Sequence, residues 1–397
     1  MRILIATESM GHSGGIETYL SALGRELFER GHTLGWLFGG SPHHGQSIAD
    51  GVAVHIWKTN PVDAASTRAQ ILTWQPDVVF ANGLHDAAWD SWLADNFITS
   101  FFAHGYFGTC ISGRKSNVTE GVTACRRTLG PACLLHYFPK QCGGRNPARM
   151  FSDYQRERLR QANLTKFMAV IVASKYMMNE YLRHGVSNDR LHCISLFPTG
   201  VVPDPTTPAK RSHWSNRVVM VGRLTALKGT SVACEAVAIA SQLLGRSLTL
   251  VVLGDGPGNQ DLVRDAQRFH TSIELRGWVG PEIRNAQLRT ADVLLVPSLW
   301  PEPFGLIGVE AGSVGLPAVA FDVGGIRDWL QAEESGELVS TSSHTAAFLG
   351  EALAKVLSSF DYHHKLSRGA WARANDFKID RHVDQLVSLF SSLTRNR

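Results

Sequence analysis

Glu302 and Glu310 stand with seven residues between them in the stretch Val293–Gly315. Carboxylates accept hydrogen bonds, and sugar hydroxyls are natural donors to them. Between the two, Phe304, Gly305 and Leu306 open a helix whose unbonded N–H groups and dipole suit an anion such as a diphosphate. Upstream, Arg223 and Lys228 place two cations five residues apart, just past another apolar run. Negative charge grows on a diphosphate as it leaves, and one fixed donor to such a transition state is worth about 3 kcal/mol. Two carboxylates and two cations beside an anion site describe a ligand carrying both hydroxyls and phosphates. Taken singly, each has a duller explanation: Glu310 as a solvated helix charge, Glu302, Arg223 and Lys228 as loop charges.

The elements that must position these groups follow from the pattern. Val293–Val296 predicts a buried strand closed by Pro297 and Ser298, and Phe304–Gly315 a helix opening. Before it, Arg217–Val221 reads as a strand, Ser231–Gly245 as a helix, and Ser247–Gly254 as a strand ending in G-D-G-P. Helices over Asn259–His270 and Pro281–Thr290 flank a strand at Ile273–Leu275. Pro317–Phe321 is a strand with Gly324-Gly325 after it, and a helix follows over Thr345–Ser359. Strands alternating with helices argue a parallel sheet, which takes its ligands outside the carboxyl ends of the strands. Arg223, Lys228 and Glu302 all fall at such ends.

The first half carries the same rhythm. Arg2–Ala6 is a strand, Glu8–Gly15 a glycine-bearing turn, Ile16–Arg30 an amphipathic helix and Thr33–Phe38 a second strand. The glycines do not fit G-x-G-x-x-G, so no dinucleotide site follows. Val52–Trp57, Val78–Ala81, Ser100–Ala103 and Ala169–Ala173 read as further strands, and Ala69–Trp74, Phe151–Lys166 and Tyr176–His184 as helices. Residues 106–147 break the alternation with four of the six cysteines: Cys110, Cys125, Cys133 and Cys142. Their spacing does not match a C-x-x-C zinc pattern, and free thiols, disulfides and metal ligands all stay open. Arg114, Lys115, Arg126, Arg127, Lys140, Arg145 and Arg149 make this region basic. The proline-bearing stretch Phe197–Ser215 reads as a linker, and Asp376–Leu393 as a last helix.

The run E-P-F-G-L-x-x-x-E at Glu302–Glu310 resembles the signature of the retaining glycosyltransferases of family 4, whose fold is GT-B. Gly222, Arg223, Lys228 and Gly229 match the same family. The resemblance implies two Rossmann-like α/β domains with parallel sheets facing each other across a cleft. Residues 1–200 would form an acceptor domain with the cysteine-rich insertion, residues 210–375 a donor domain, and residues 376–397 a helix returning to the first. By the same resemblance Glu310 accepts from the ribose of a nucleotide and Glu302 approaches the transferred sugar. Phe304, Gly305 and Leu306 offer amides, and Gly254 and Val279 border the base. Gly14 and Gly15 let backbone reach the diphosphate, and His104 touches donor or acceptor without having to act as a base. Arg126 and Arg127 are expected on the acceptor side. Two positions depart from the pattern: Asp328 stands where Glu is common, and Phe377 where Trp is usual.

The implied activity is retaining transfer of a hexose from a nucleotide sugar, a UDP- or GDP-sugar, to a glycan or lipid-linked acceptor in cell-surface polysaccharide or lipopolysaccharide synthesis. No cofactor is expected, and with no Asp-x-Asp pair no metal either. Alternatives are a GT-B epimerase or phosphorylase, or a non-catalytic sugar-nucleotide-binding subunit. The 397 residues, 44% hydrophobic and 19% charged, are enough for two cores. A net charge of +4 argues against a protein that coats nucleic acid. The amino terminus reads as a strand rather than a signal peptide, and no apolar run reaches about 18 residues. A cytoplasmic protein, peripheral at the inner face of a membrane through its basic insertion, is the expectation, and the glycosylation-like tripeptides at Asn117 and Asn163 are then chance.

Overall fold

A computed structural model describes residues 1–11, 14–40, 47–60, 62–119, 121–200, 206–340 and 346–395. Its chain divides into two compact units. One comprises Met1–Thr119, Cys125–Ser195 and Ile379–Arg397, the other Glu120–Ala124 and Leu196–Lys378.

The first unit runs β1 (Arg2–Thr7), α1 (Gly15–Glu29), β2 (Thr33–Phe38), β3 (Ala53–Lys58), α2 (Ala64–Trp74), β4 (Val78–Ala81), α3 (Ala87–Asn96) and β5 (Thr99–Ala103). The insertion adds only short pieces, β6 (Ser116–Val118) and α4 (Ala132–His136), while its β7 (Val122–Ala124) is counted with the second unit. Then come α5 (Pro147–Asn163), β8 (Ala169–Val172), α6 (Lys175–Arg183) and β9 (Leu191–Cys193). Seven strands make one sheet in the order β3-β2-β1-β4-β5-β8-β9, with parallel pairing throughout. Ile3–Ala6 and Val78–Ala81 are wholly buried. Helices cover both faces of such a sheet, so its central strands read as unbroken apolar runs. The strand order reverses between β1 and β4, which pair directly.

The second unit repeats the scheme. It runs β10 (Arg217–Val221), α7 (Thr230–Leu244), β11 (Thr249–Leu253), α8 (Asn259–Phe269), β12 (Ser272–Leu275) and α9 (Pro281–Thr290). After these follow β13 (Val293–Val296), α10 (Leu306–Ser313), β14 (Ala318–Phe321), β15 (Gly336–Val339), α11 (Ala346–Ser358) and α12 (Phe360–Ala374). The sheet order is β12-β11-β10-β13-β14-β15, again parallel. Here the order reverses between β10 and β13. Ligands of doubly wound sheets settle at such reversals, because the loops leaving the two strands diverge and open a crevice. The last helix, α13 (Ile379–Arg395), is part of the first unit.

Three helices escape the sequence reading: the short α4, and the longer α3 and α12. In α3 the apolar residues do not fall on one face, yet Asp86 Oδ1 accepts from Ala88 N at 3.0 Å and caps it, and Trp89 and Leu93 are buried. In α12 Ser359 Oγ accepts from Tyr362 N at 3.3 Å, and His363 and Leu366 face inward. Capping and a narrow buried stripe, rather than overall hydrophobicity, make both. Helix α2 begins at Ala64 rather than Ala69, and α10 occupies Leu306–Ser313, with Gly305 left outside as its N-cap. Pro203 and Pro205 of the expected linker, and Thr345 of the expected helix start, lie outside the described residues.

Candidate active site

Arg223 and Lys228 follow β10 and Glu302 follows β13, the two strands at the reversal of the second sheet. Their loops are tied together: Leu299 N and Trp300 N donate to Leu227 O at 2.9 and 3.3 Å. Gly229 sits at φ 69°, and a Cβ there would lie 2.0 Å from Pro297 O. Only glycine allows that approach. A third loop pins Glu302 from the other side, where Gly325 N donates to Glu302 O at 2.7 Å. Gly324, at φ 59°, would put a Cβ 2.1 Å from that oxygen. The outcome is a buried Glu302 whose Oε1 receives Lys228 Nζ at 2.6 Å and Ser298 Oγ at 2.5 Å. Its Oε2 has no hydrogen bond among the described residues. Arg223 is exposed on the same loop as Lys228.

The start of α10 is held from behind. The Phe304 ring is buried against Phe377 at 5.7 Å, and its carbonyl accepts from Trp329 Nε1 at 2.7 Å. The N–H groups of Phe304, Gly305 and Leu306 make no bond among the described residues, as expected at a helix start. About one turn on, Glu310 is buried. Its Oε1 lies 3.3 Å from Arg284 Nη2 and accepts from Thr199 Oγ1 at 3.3 Å. Burial pushes its pKa up to about 7, against the opposing pull of Arg284. Arg284 also donates to Thr199 O at 2.7 Å. At the end of β11, Gly254 N donates to Gly277 O at 2.7 Å, which brings half-buried Val279 to the same sheet edge.

In the first unit Gly14 and Gly15 are exposed where β1 leads into α1. Gly14 is extended, at φ −168°, so no left-handed turn demands glycine there; a missing side chain leaves the helix start open. His104 ends β5. Its Nε2 lies 2.9 Å from Asn82 Oδ1, while Asn82 Nδ2 donates to Phe80 O at 3.0 Å and Ala6 O at 3.4 Å. The amide oxygen therefore faces the imidazole, Nε2 carries the proton and Nδ1 keeps a lone pair. Phe102 stacks on the ring at 4.5 Å. Burial, with a smaller push from His382, takes the His104 pKa down to about 3. It is a neutral hydrogen-bonding group at ordinary pH, not a proton carrier.

The insertion differs from its expected character. Lys115 is 1% exposed and pairs with Glu180 at 2.5 Å, with further bonds to Thr109 O and Arg127 O. A cation so enclosed is structural and not on offer to an acceptor. Arg126 is exposed, while Arg127 lines a cavity shared with Cys110, Cys125, Cys133 and Cys142. All four are free thiols, and burial pushes Cys142 up to about 11. Among the described residues no three His, Cys, Asp or Glu side chains form a group that could hold a metal ion.

The fold thus gathers Lys228, Glu302, Phe304, Gly305, Leu306, Gly254 and Val279 at one edge of the second sheet, with Arg223 on the Lys228 loop and Glu310 within α10. His104, Gly14, Gly15, Arg126 and Arg127 belong to the first unit. Ser298, Arg284, Thr199 and Asn82 escape the sequence reading, since a lone serine, arginine, threonine or asparagine carries no spacing signal. Only the place of Ser298 and Asn82 just past apolar strands marks them.

Comparison with known proteins gives the family and the fold. The model of the glycosyl transferases group 1 matches residues 208–373, and that of glycosyltransferase family 4 matches residues 13–201. The D-inositol 3-phosphate glycosyltransferase of Xylanimonas cellulosilytica is 28% identical over 251 residues, 58% of this chain and 58% of that protein. The chain therefore matches a little over half the length of that curated relative. Among solved structures, sucrose-phosphate synthase from Thermosynechococcus elongatus superposes with a TM-score of 0.70 at 20% identity, over 100% of both chains. HepE of Anabaena, in complex with UDP-glucose, gives 0.67 at 18% identity over 99% of this chain and 100% of that one. The chain belongs to glycosyltransferase family 4 and has the GT-B fold.

Proposed function

We propose that this chain moves a hexose from a UDP- or GDP-sugar to an acceptor hydroxyl, with retention at the anomeric carbon. The observation that carries this is the cluster at the β10–β13 reversal: an exposed Arg223, the Lys228–Glu302 pair, unbonded amides at the start of α10, and a buried Glu310. Arg223, Lys228 and the amides meet the diphosphate, Glu310 the ribose, and Glu302 Oε2 a hydroxyl of the sugar. The anomeric carbon loses its bond to the phosphate oxygen and gains one to the acceptor oxygen on the same face. The acceptor's proton passes to the departing phosphate, so no protein base is needed, which suits a His104 that stays neutral. The sugar-nucleotide complex of the HepE neighbour supports the donor class.

On the acceptor side we favour a phosphate-bearing molecule. The basic insertion, with Arg126 exposed, supports a glycan or lipid-linked acceptor for cell-surface polysaccharide, reached from the cytoplasm by peripheral contact with the membrane. No helix among the described residues is long and apolar enough to cross one. A small phosphorylated polyol is a second candidate, because relatives are named for D-inositol 3-phosphate. Incubation with UDP- and GDP-hexoses and each acceptor class, with the product's anomeric configuration read by NMR, separates these outcomes. Release of free nucleotide with no acceptor-linked product in any pairing contradicts transfer, and an inverted product contradicts retention.

A further inference from the structure

The first sheet has its own reversal, between β1 and β4, and one carboxylate joins the loops that leave those strands. Glu8 follows β1 directly, and its Oε2 accepts from His85 N, in the loop after β4, at 2.6 Å. The loop after β2 closes on the same group. Gly39 N donates to Thr7 O at 3.0 Å and Gly40 N to Glu8 O at 2.6 Å. A Cβ on Gly39 would lie 2.2 Å from Glu8 Oε2, and one on Gly40 3.1 Å from Glu8 O. Two successive glycines thus make the seat of this side chain, and three loops fix its place.

The bond to His85 uses one oxygen. Among the described residues Glu8 Oε1 accepts no hydrogen bond, and no cation pairs with the carboxylate. Glu8 is half-buried, and a charge drawn out of water ordinarily has a partner. Even the exposed Asp95 has Lys166 at 2.9 Å. Beyond β4 in the same sheet, β5 ends in His104, whose Nδ1 keeps its lone pair once Nε2 meets Asn82. β1 and β5 are two strand spacings, about 10 Å, apart. The carboxyl edge of the first sheet therefore offers two acceptors, Glu8 Oε1 and His104 Nδ1, one to each side of the β4 loop. Acceptors of this kind receive hydroxyls and repel phosphate.

We propose that Glu8 is an acceptor-binding residue: Oε1 receives a hydroxyl of a sugar ring or other polyol, distinct from the hydroxyl that reacts. The proposal rests on the reading above, in which the second unit holds the donor. Ligands settle at the reversals of doubly wound sheets, and the reversal of the first unit is left for the acceptor. Any phosphate the acceptor carries lies away from this carboxylate.

The test uses the full chain with UDP or GDP bound, and as probes D-inositol 3-phosphate and the methyl glycosides of glucose, galactose and mannose. Saturation-transfer NMR measures their binding to the wild type, Glu8→Gln and Glu8→Ala, with thermal melts alongside. At least one probe should bind the wild type. Its dissociation constant should rise about tenfold in Glu8→Gln, where a neutral bond replaces a charged one, and about a hundredfold in Glu8→Ala. Glu8→Gln keeps an oxygen for His85 N, so its melting temperature and nucleotide affinity should match the wild type. Should Glu8→Ala fail to fold, Glu8→Gln decides alone. Equal probe affinity in Glu8→Gln and the wild type overturns the role of Glu8, as does a wild type that binds nucleotide but no probe; both leave the donor reading standing. A wild type that binds neither UDP nor GDP overturns that reading and the proposal with it.

Discussion

Lys228 Nζ lies 2.6 Å from Glu302 Oε1, so two groups carried by different sheet loops are one ion pair before any ligand arrives. The pair is mostly enclosed, with side chains 27% and 7% exposed, and a second proton donor, Ser298 Oγ, shares the same oxygen. On the proposed reading, a nucleotide diphosphate entering the site competes with Glu302 for Lys228, while Oε2 stays open to a hydroxyl. The same reading couples donor binding and sugar placement through one ammonium.

Removing either partner should therefore act on both. Lys228→Ala leaves Glu302 buried without its cation, and breaking enclosed pairs costs up to about 3–5 kcal/mol, less where solvent reaches one partner. We expect a lower melting temperature and weaker donor binding. Glu302→Gln keeps a neutral acceptor for Ser298 and Lys228, so it should fold normally with kcat reduced about a hundredfold or more. The double variant should lose less than the sum, since the singles share one interaction. Strict additivity in kcat/KM and in melting temperature contradicts the coupling.

If Glu310 meets the ribose as proposed, nucleotide binding depends on pH. With a folded pKa raised to about 7, it is largely protonated at pH 6 and ionised at pH 8. Only the carboxylate accepts from both ribose hydroxyls, so nucleotide affinity should rise as pH goes from 6 to 8 and level off above. Glu310→Gln should bind more weakly at pH 8 and show a flat profile. The linkage to stability has the opposite sign. An acid whose folded pKa exceeds its unfolded value of about 4.5 loses stability as pH rises from about 4.5 to 7 in the ligand-free protein. Titration calorimetry and thermal melts across this window check both signs.

His104 gives a negative expectation with equal content. Its pKa of about 3 places its titration below the working range. The pH–rate profile between 5 and 8 should keep its shape in His104→Ala while its height falls. An inflection near 6.5 that vanishes in the variant contradicts a neutral role.

Much of the proposed donor-side site was legible because its residues are local in sequence: Glu302 through Glu310 is one loop–helix unit, and Arg223 with Lys228 is one loop. The strands were readable for the same reason, as unbroken apolar runs. What stayed hidden depends on partners distant along the chain. Arg284 meets Glu310 across the fold of the second unit, and Tyr19 meets His382 from opposite ends of the sequence. Lys115 shows the converse error. In sequence it is one more cation in a basic stretch, and only Glu180, 65 positions later on α6, makes it a buried structural charge.

That charge carries a prediction of its own. Lys115→Met leaves Glu180 buried beside Arg183 and His184 with one cation fewer. The insertion has few apolar contacts to spare, chiefly Ile111, Leu129, Tyr137 and Met150. It should loosen first, so limited proteolysis should cut within 106–147 in this variant and spare the wild type, while nucleotide binding by the second unit persists. Equal resistance in both chains contradicts the structural role.

The central claim is that the β10–β13 edge of the second unit holds a nucleotide sugar. Its most direct test is a thermal-shift titration of UDP- and GDP-sugars on the wild type and on Arg223→Ala. At a hundred times its dissociation constant a ligand stabilises by about 2.7 kcal/mol, an easily read shift. One nucleotide series should stabilise the wild type, and Arg223→Ala should need about ten to a hundred times more of it, the loss of a charged hydrogen bond. If no nucleotide or sugar nucleotide shifts the wild type, or if Arg223→Ala responds like the wild type, that edge is not the donor site.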